Sequence, residues 1–152
     1  MERTITSGSE EALGSTWLGN AGNDNLVGGL GDDLLTGGIG ADRLTGGAGT
    51  DSFVFTTKSE GKDTITDFRI VDDTLVVSRS GFGGGLTANA AITRSQFTIG
   101  AAASDSSDRF IYNQASGVLL FDADGTGASA QVQLAQLSTG LAMTNNDIFV
   151  IA

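Results

Sequence analysis

The sequence predicts an all-β chain in which short parallel strands wind into a flattened solenoid, followed by a β-rich capping segment. Three observations predict this. A nine-residue unit recurs from Gly19, reading GNAGNDNLV, GGLGDDLLT, GGIGADRLT and GGAGTDSFV. It places Asp24, Asp33, Asp42 and Asp51 at one phase and Leu26, Leu35, Leu44 and Phe53 at another. Eleven of the 23 glycines lie between Gly19 and Gly49, so the glycine excess is periodic and local. After the repeats, short alternating apolar and polar runs bounded by turn residues read as further strands.

The elements follow in chain order. Trp17 sits at the apolar phase of the repeats, but Ser15 stands where an Asp is expected, so residues 1–18 read as an N-terminal cap with Trp17 as a core lid. In the unit Gly28 to Thr36, period 2 points Leu35 to one side and Leu34 and Thr36 to the other, a very short strand. The preceding GGLGDD is expected to be turn rather than strand, because its glycines accept positive φ. Two units, 18 residues, complete one coil, stacking Leu26 on Leu44 in one sheet and Leu35 on Phe53 in the other. A flexible Gly/Asp linker would not keep Asp and Leu in phase over four units.

Composition narrows the chemistry. Eight Lys and Arg against 18 Asp and Glu give a net charge of −10, which disfavours nucleic acid and anionic membranes as partners. With no His and no Cys, His-based zinc sites, Ser/His/Asp triads, thiol nucleophiles and disulfides are excluded. No apolar run reaches the roughly 20 residues of a membrane span, and the N-terminal sequence predicts no cleavable export signal. Of the 18 acids, 14 are Asp, a short carboxylate suited to turns and to hard cations.

The 18-residue coil brings the Gly-rich turns into two columns and pairs Asp24 with Asp42 and Asp33 with Asp51. Counting Asp32, five carboxylates then crowd together opposed only by Arg43, while turn carbonyls converge without donors. Such a coil is unstable by itself. Calcium in each gap resolves both problems, since it takes six to eight oxygens at about 2.3–2.6 Å. Two ions are the expected minimum. Glu60, 18 residues after Asp42, is the candidate for completing a third site. Binding and folding are then one event.

These units resemble the GGxGxDxUx nonapeptides of RTX (repeats-in-toxin) proteins. The resemblance implies a right-handed parallel β-roll with calcium held by the position-six side chains, here Asp24, Asp33, Asp42 and Asp51. Carbonyls of the turn would complete the shell, here in Gly19, Gly28, Gly29, Gly31, Gly37, Gly38, Gly40, Gly46, Gly47 and Gly49. DTITDF and the following VDDTLVVS alternate as a half-buried strand pair would. They also resemble the segment that follows the repeats in the C-terminal domain of serralysin-type proteases. Alternation favours solvent-facing carboxylates at Asp63 and Asp67, and the resemblance makes them secondary candidate ligands.

Residues 79–108 read as long loops or a short helix near Ala88 to Phe97. FIY and VLLF form a hairpin across QASG, with a third strand around Val132, and these strands would cap the open end of the roll. Asp122 and Asp124 in DADGTG lack the third acid and the closing Glu of an EF-hand loop, which favours a turn. The ending NDIFVIA reads as a terminal core strand, and it also resembles the uncleaved C-terminal signal of RTX proteins exported by type I secretion.

The expected organisation is therefore a cap (1–18), the repeat array (19–54) and a capping and secretion-signal region (55–152). The expected function is a noncatalytic calcium-binding module, secreted and extracellular, that folds on extracellular calcium and engages type I secretion machinery. Its zinc-ligating His being absent, protease activity is not transferred from the serralysin-type resemblance. One alternative is a polysaccharide-binding module similar to the R-modules of alginate epimerases, which needs an exposed basic or aromatic face. Arg43, Arg69, Arg79, Arg94 and Arg109 are scattered along the chain. A carboxylate-only glycoside hydrolase is weaker, because the clustered Asp residues are committed to metal.

Overall fold

A computed structural model describes residues 2–6 and 13–152. The repeats form strands β2 (Thr16–Ala21), β3 (Asn25–Leu30), β4 (Leu34–Ile39), β5 (Arg43–Ala48) and β6 (Ser52–Phe55), preceded by β1 (Thr4–Thr6). After them come β7 (Asp63–Ile65), β8 (Thr74–Ser78), one helical turn α1 (Arg79–Phe82), β9 (Ala90–Ala91) and β10 (Phe97–Ile99). The chain ends in β11 (Phe110–Asn113), β12 (Val118–Phe121), β13 (Val132–Gln136) and β14 (Ile148–Ile151). Successive repeat strands alternate between two sheets, ordered β1-β3-β5-β7-β13-β12-β11-β10 and β2-β4-β6-β8-β14-β9.

The parallel register sets Leu26 beside Leu44 in one sheet and Leu35 beside Phe53 in the other. All four are fully buried between the sheets, while Leu34 on the outer face is 38% exposed. Each such burial stabilises the stack by roughly 1.5–3 kcal/mol. Ile65 and Leu75 continue the two inward rows beside Leu44 and Phe53, and the core runs on without a break into Phe82, Phe110, Tyr112 and Phe121. Trp17 packs against the same core at its N-terminal edge. Among the described residues no helix is long and apolar enough to cross a membrane.

Two details differ from the sequence-based expectations. The strand running through GGLGDD extends to Leu30, so the turn proper is only Gly31 to Asp33. Glycine permits this: Gly38, the second glycine of its unit, has φ +94, and a Cβ there would overlap the Asn20 carbonyl of the preceding coil. DTITDF and VDDTLVVS do not pair with each other; β7 and β8 lie in opposite sheets, as successive strands of one coil must. Residues 79–108 are largely loop, as expected, and the short helix near Ala88 to Phe97 is a single 3-10 turn at Arg94–Gln96, flanked by β9 and the start of β10. The C-terminal strands cap the roll as expected, and do so by extending its sheets: β13 pairs in parallel with β7, and the β11–β12 hairpin follows it. The last strand, β14, sits between β8 and β9 with Ile148 and Val150 fully buried. Of the N-terminal cap, residues 1 and 7–12 lie outside the described residues.

Candidate metal centre

The two columns of turns are each tied together by a ladder of carboxylates. In one, Asp24 Oδ1 accepts the Arg3 N–H (2.8 Å), Asp42 Oδ1 the Asp24 N–H (2.6 Å) and Asp63 Oδ1 the Asp42 N–H (3.0 Å). In the other, Asp33 Oδ1 accepts the Ser15 N–H (2.8 Å), Asp51 Oδ1 the Asp33 N–H (2.9 Å) and Asp73 Oδ1 the Asp51 N–H (3.1 Å). Ser15 thus takes the donor's place where the repeat lacks its Asp. Two side chains at position five add a parallel rung: Asn23 Oδ1 accepts the Ala41 N–H (2.9 Å) and Asp32 Oδ1 the Thr50 N–H (2.7 Å).

The ladder uses only one oxygen of each carboxylate. Asp24, Asp33, Asp42 and Asp51 are at most 2% exposed, and in all four the buried Oδ2 has no hydrogen-bond partner. Each Oδ2 lies against the first glycine of its own unit. A Cβ on Gly19 would approach Asp24 Oδ2 to 2.9 Å, and a Cβ on Gly28, Gly37 or Gly46 would overlap Oδ2 of Asp33, Asp42 or Asp51. Gly29, Gly31, Gly38, Gly40, Gly47 and Gly49 all adopt positive φ, and a Cβ on any of the last four would run into a main-chain carbonyl one coil earlier. At eight of the ten predicted glycines, all but Gly29 and Gly31, a backbone or carboxylate oxygen thus stands where a Cβ would be.

A buried anionic oxygen without a donor costs more than the roughly 1–3 kcal/mol of a neutral unsatisfied group. Burial pushes the Asp51 carboxyl up to about 6, against the opposing Asp33 N–H and with reinforcement from the charges of Asp73, Asp33 and Asp67. Asp63 is pushed up to about 7, again by burial, opposed by the Asp42 N–H and reinforced by Asp42 and Glu60. Burial also raises Asp42 and Asp73 above the ordinary carboxylate value. The donor set fits a hard divalent cation such as calcium: it contains only carboxylate and carbonyl oxygens, several of them orphaned. Among the described residues no three acidic side chains converge at one point, so main-chain carbonyls would supply most of any coordination shell.

The ends of the columns depart from the 18-residue register. Asp63, 21 residues after Asp42, takes the rung expected near Glu60. It is 2% exposed rather than solvent-facing. Glu60 is also buried; its Oε1 accepts the Thr56 and Thr57 N–H groups and the Thr56 hydroxyl, while Oε2 has no partner. Asp67 is half-buried and accepts the Gly46 and Gly47 N–H groups at 3.0 and 2.9 Å. Asp73 was not singled out by repeat spacing, being 22 residues after Asp51. Its signal is the D-x-U triplet Asp73-Thr74-Leu75, which matches Asp51-Ser52-Phe53 without the glycines. Asp122 and Asp124 form a local turn, with Asp122 Oδ1 accepting the Asp124 N–H at 3.1 Å.

Residues 18–53 match, in four copies, the family described as the RTX calcium-binding nonapeptide repeat. Among solved structures the chain is similar to the AlgE6R3 subunit of the Azotobacter vinelandii mannuronan C5-epimerase. The TM-score is 0.56 at 24% identity, over 97% of this chain and 77% of that one. It is also similar to the extracellular lipase LipA of Serratia marcescens, with a TM-score of 0.52 at 24% identity over 97% of this chain and 19% of the lipase. Likeness at this identity carries the fold alone. No curated protein sequence matches the chain.

Proposed function

We propose that this chain, whose residues 18–53 are RTX calcium-binding nonapeptide repeats, is a noncatalytic module that folds on extracellular calcium. In this reading it supports type I secretion of itself or of a larger protein. The observation that carries the reading is the row of four buried Asp Oδ2 atoms without partners, in residues whose Oδ1 atoms each accept a main-chain N–H. Bound calcium supplies positive charge and six to eight coordination places. The chain supplies Asp24 and Asp42 to one gap, Asp33 and Asp51 to another, and Asp42 and Asp63 to a third, each completed by glycine carbonyls. Residues 1–18 and 55–152 act as caps, and the terminal strand β14 doubles as the export signal before folding buries it.

At low intracellular calcium the stacked carboxylates repel and the array stays open. At the millimolar level outside, a site a hundredfold above its dissociation constant contributes about 2.7 kcal/mol. Two or three such sites match the few kcal/mol that separate folded from unfolded domains. The test is a calcium titration of metal-free protein followed by far-UV circular dichroism. A cooperative gain of β signal is expected; equal signal in chelator and in calcium would sink the reading.

A second reading, binding of an anionic polysaccharide, is favoured by one feature. The chain's two lysines, Lys58 and Lys62, line a groove of about 450 Å³ together with Gln131 and Gln133. Neither lysine forms an ion pair among the described residues. A mannuronan C5-epimerase subunit shares the fold, which makes a uronate polymer the first ligand to try. Retention on immobilised alginate that disappears in a Lys58→Glu, Lys62→Glu variant would establish this reading, and passage of the unmodified protein would end it.

A further inference from the structure

The second column of turns does not end as the first does. Beyond Gly46 to Asp51, the next coil presents the segment Asp67 to Asp73. Asp67 accepts the Gly46 and Gly47 N–H groups, and Asp73 Oδ1 accepts the Asp51 N–H at 3.1 Å. Asp51 Oδ2 stays buried and unpartnered. The ladder bond and the orphaned Asp51 oxygen repeat those of the earlier gaps, but the outer segment has no glycine and its Asp73 Oδ2 is bonded. Arg69 reaches into the gap: Nη2 donates to the Gly49 carbonyl at 2.6 Å and lies 3.7 Å from Asp73 Oδ1, while the Arg69 N–H donates to Asp73 Oδ2 at 2.8 Å. Nε is buried, 3.8 Å from Asp72 Oδ2. Among the described residues no other basic side chain donates to a carbonyl of the repeat turns. In the other column the equivalent carbonyl, that of Gly40, faces Gly61 of the next coil and no cation.

We propose that the Gly46 to Asp51 turn and the Asp67 to Asp73 segment form a latent calcium site, kept closed by the Arg69 guanidinium that stands in it. The inference rests on the calcium reading above and adds to it a statement about where the metal row stops. A guanidinium carries a permanent charge and donors in a fixed fork, so it neutralises the last carboxylates and satisfies the last carbonyl without a dissociable ligand. The end of this column is then charge-compensated before any calcium arrives, and the coil nearest the C-terminal strands has a fixed template.

The experiment is the calcium count, by native mass spectrometry and titration calorimetry, of the full chain and of Arg69→Gln and Arg69→Lys. Glutamine is neutral and leaves Asp51, Asp73 and the Gly49 carbonyl without a cation. Arg69→Gln is expected to bind one calcium more than the parent, and to need a higher calcium concentration to reach half its β signal. Arg69→Lys, which keeps a charge, is expected to retain the parent count. An unchanged count in Arg69→Gln overturns the proposal, as does failure of that variant to fold in millimolar calcium, since metal is expected to replace the guanidinium. A parent chain that binds no calcium defeats the wider reading instead, so the two failures are distinguishable.

Discussion

The column built on Asp24, Asp42 and Asp63 and the column built on Asp33, Asp51 and Asp73 begin alike and finish differently. Both hold carboxylates stacked through N–H to Oδ1 bonds, with one buried oxygen left over on each repeat Asp. The first column ends beside an acid, with Glu60 Oε2 buried and unpartnered near Asp63. The second ends against Arg69, bonded to the Gly49 carbonyl. Repeats of one pattern thus finish in different electrostatic surroundings. The repeat motif sets the chemistry of a gap between two repeats, while the flanking, non-repeating coil decides whether the last gap needs an external cation.

The comparison is broken most directly by removing one charge from the middle of each column. Asp→Asn keeps the oxygen that accepts the ladder hydrogen bond and removes the anionic ligand. Asp42→Asn touches two metal gaps and is expected to lose two ions. Asp51→Asn touches one metal gap and the Arg69 gap, and is expected to lose one. At calcium a hundredfold above the dissociation constant, the losses correspond to about 5 and about 3 kcal/mol. Ion counts by native mass spectrometry and thermal midpoints in millimolar calcium check this; equal losses from the two columns would remove the asymmetry.

A smaller effect sharpens it. Asp63 and Asp51 are held at about 7 and about 6 in the metal-free fold, above the usual 3.8. Between about 3.8 and about 7 the fold therefore binds more protons than the unfolded chain. Its metal-free stability is greatest in acid and is lost as pH rises through about 6 and then about 7. Metal-free protein is expected to gain β signal on acidification from pH 8 to pH 5. Calcium affinity should move the other way, because protons compete for the same oxygens. The first column, holding Asp63, should weaken nearer pH 7 and the second nearer pH 6. Calorimetric titrations at pH 8, 7 and 6 read this, and affinities that do not change over the range would contradict it.

What could be read in advance follows from how directly each feature is written in the chain. The inward rows Leu26–Leu44 and Leu35–Phe53, and the four ladder Asp residues in the turns, obey a fixed period, so counting by nines finds them. Asp63 and Asp73 escape that count because the loops before them lengthen the coils to 21 and 22 residues. Their register is set by packing: Ile65 settles beside Leu44 and Leu75 beside Phe53, and each carries the Asp two residues earlier onto the ladder. Alternation in DTITDF pointed Asp63 toward solvent, but a strand inside a roll has a turn at each end, and Asp63 stands at one. The groove joining Lys58 and Lys62 to Gln131 and Gln133 has no sequence signal, since it depends on β13 pairing with β7 across some 70 residues.

The sequence by itself determined the solenoid, its two sheets, its apolar rows and the hard-cation chemistry of its turns. Each of these repeats within a stretch of nine residues and needs only local geometry. Only the tertiary structure decided which carboxylate continues each ladder and which charge ends it. Those choices depend on how irregular loops close over the last coil, and loop length is tolerated wherever apolar side chains still find their places in the stack.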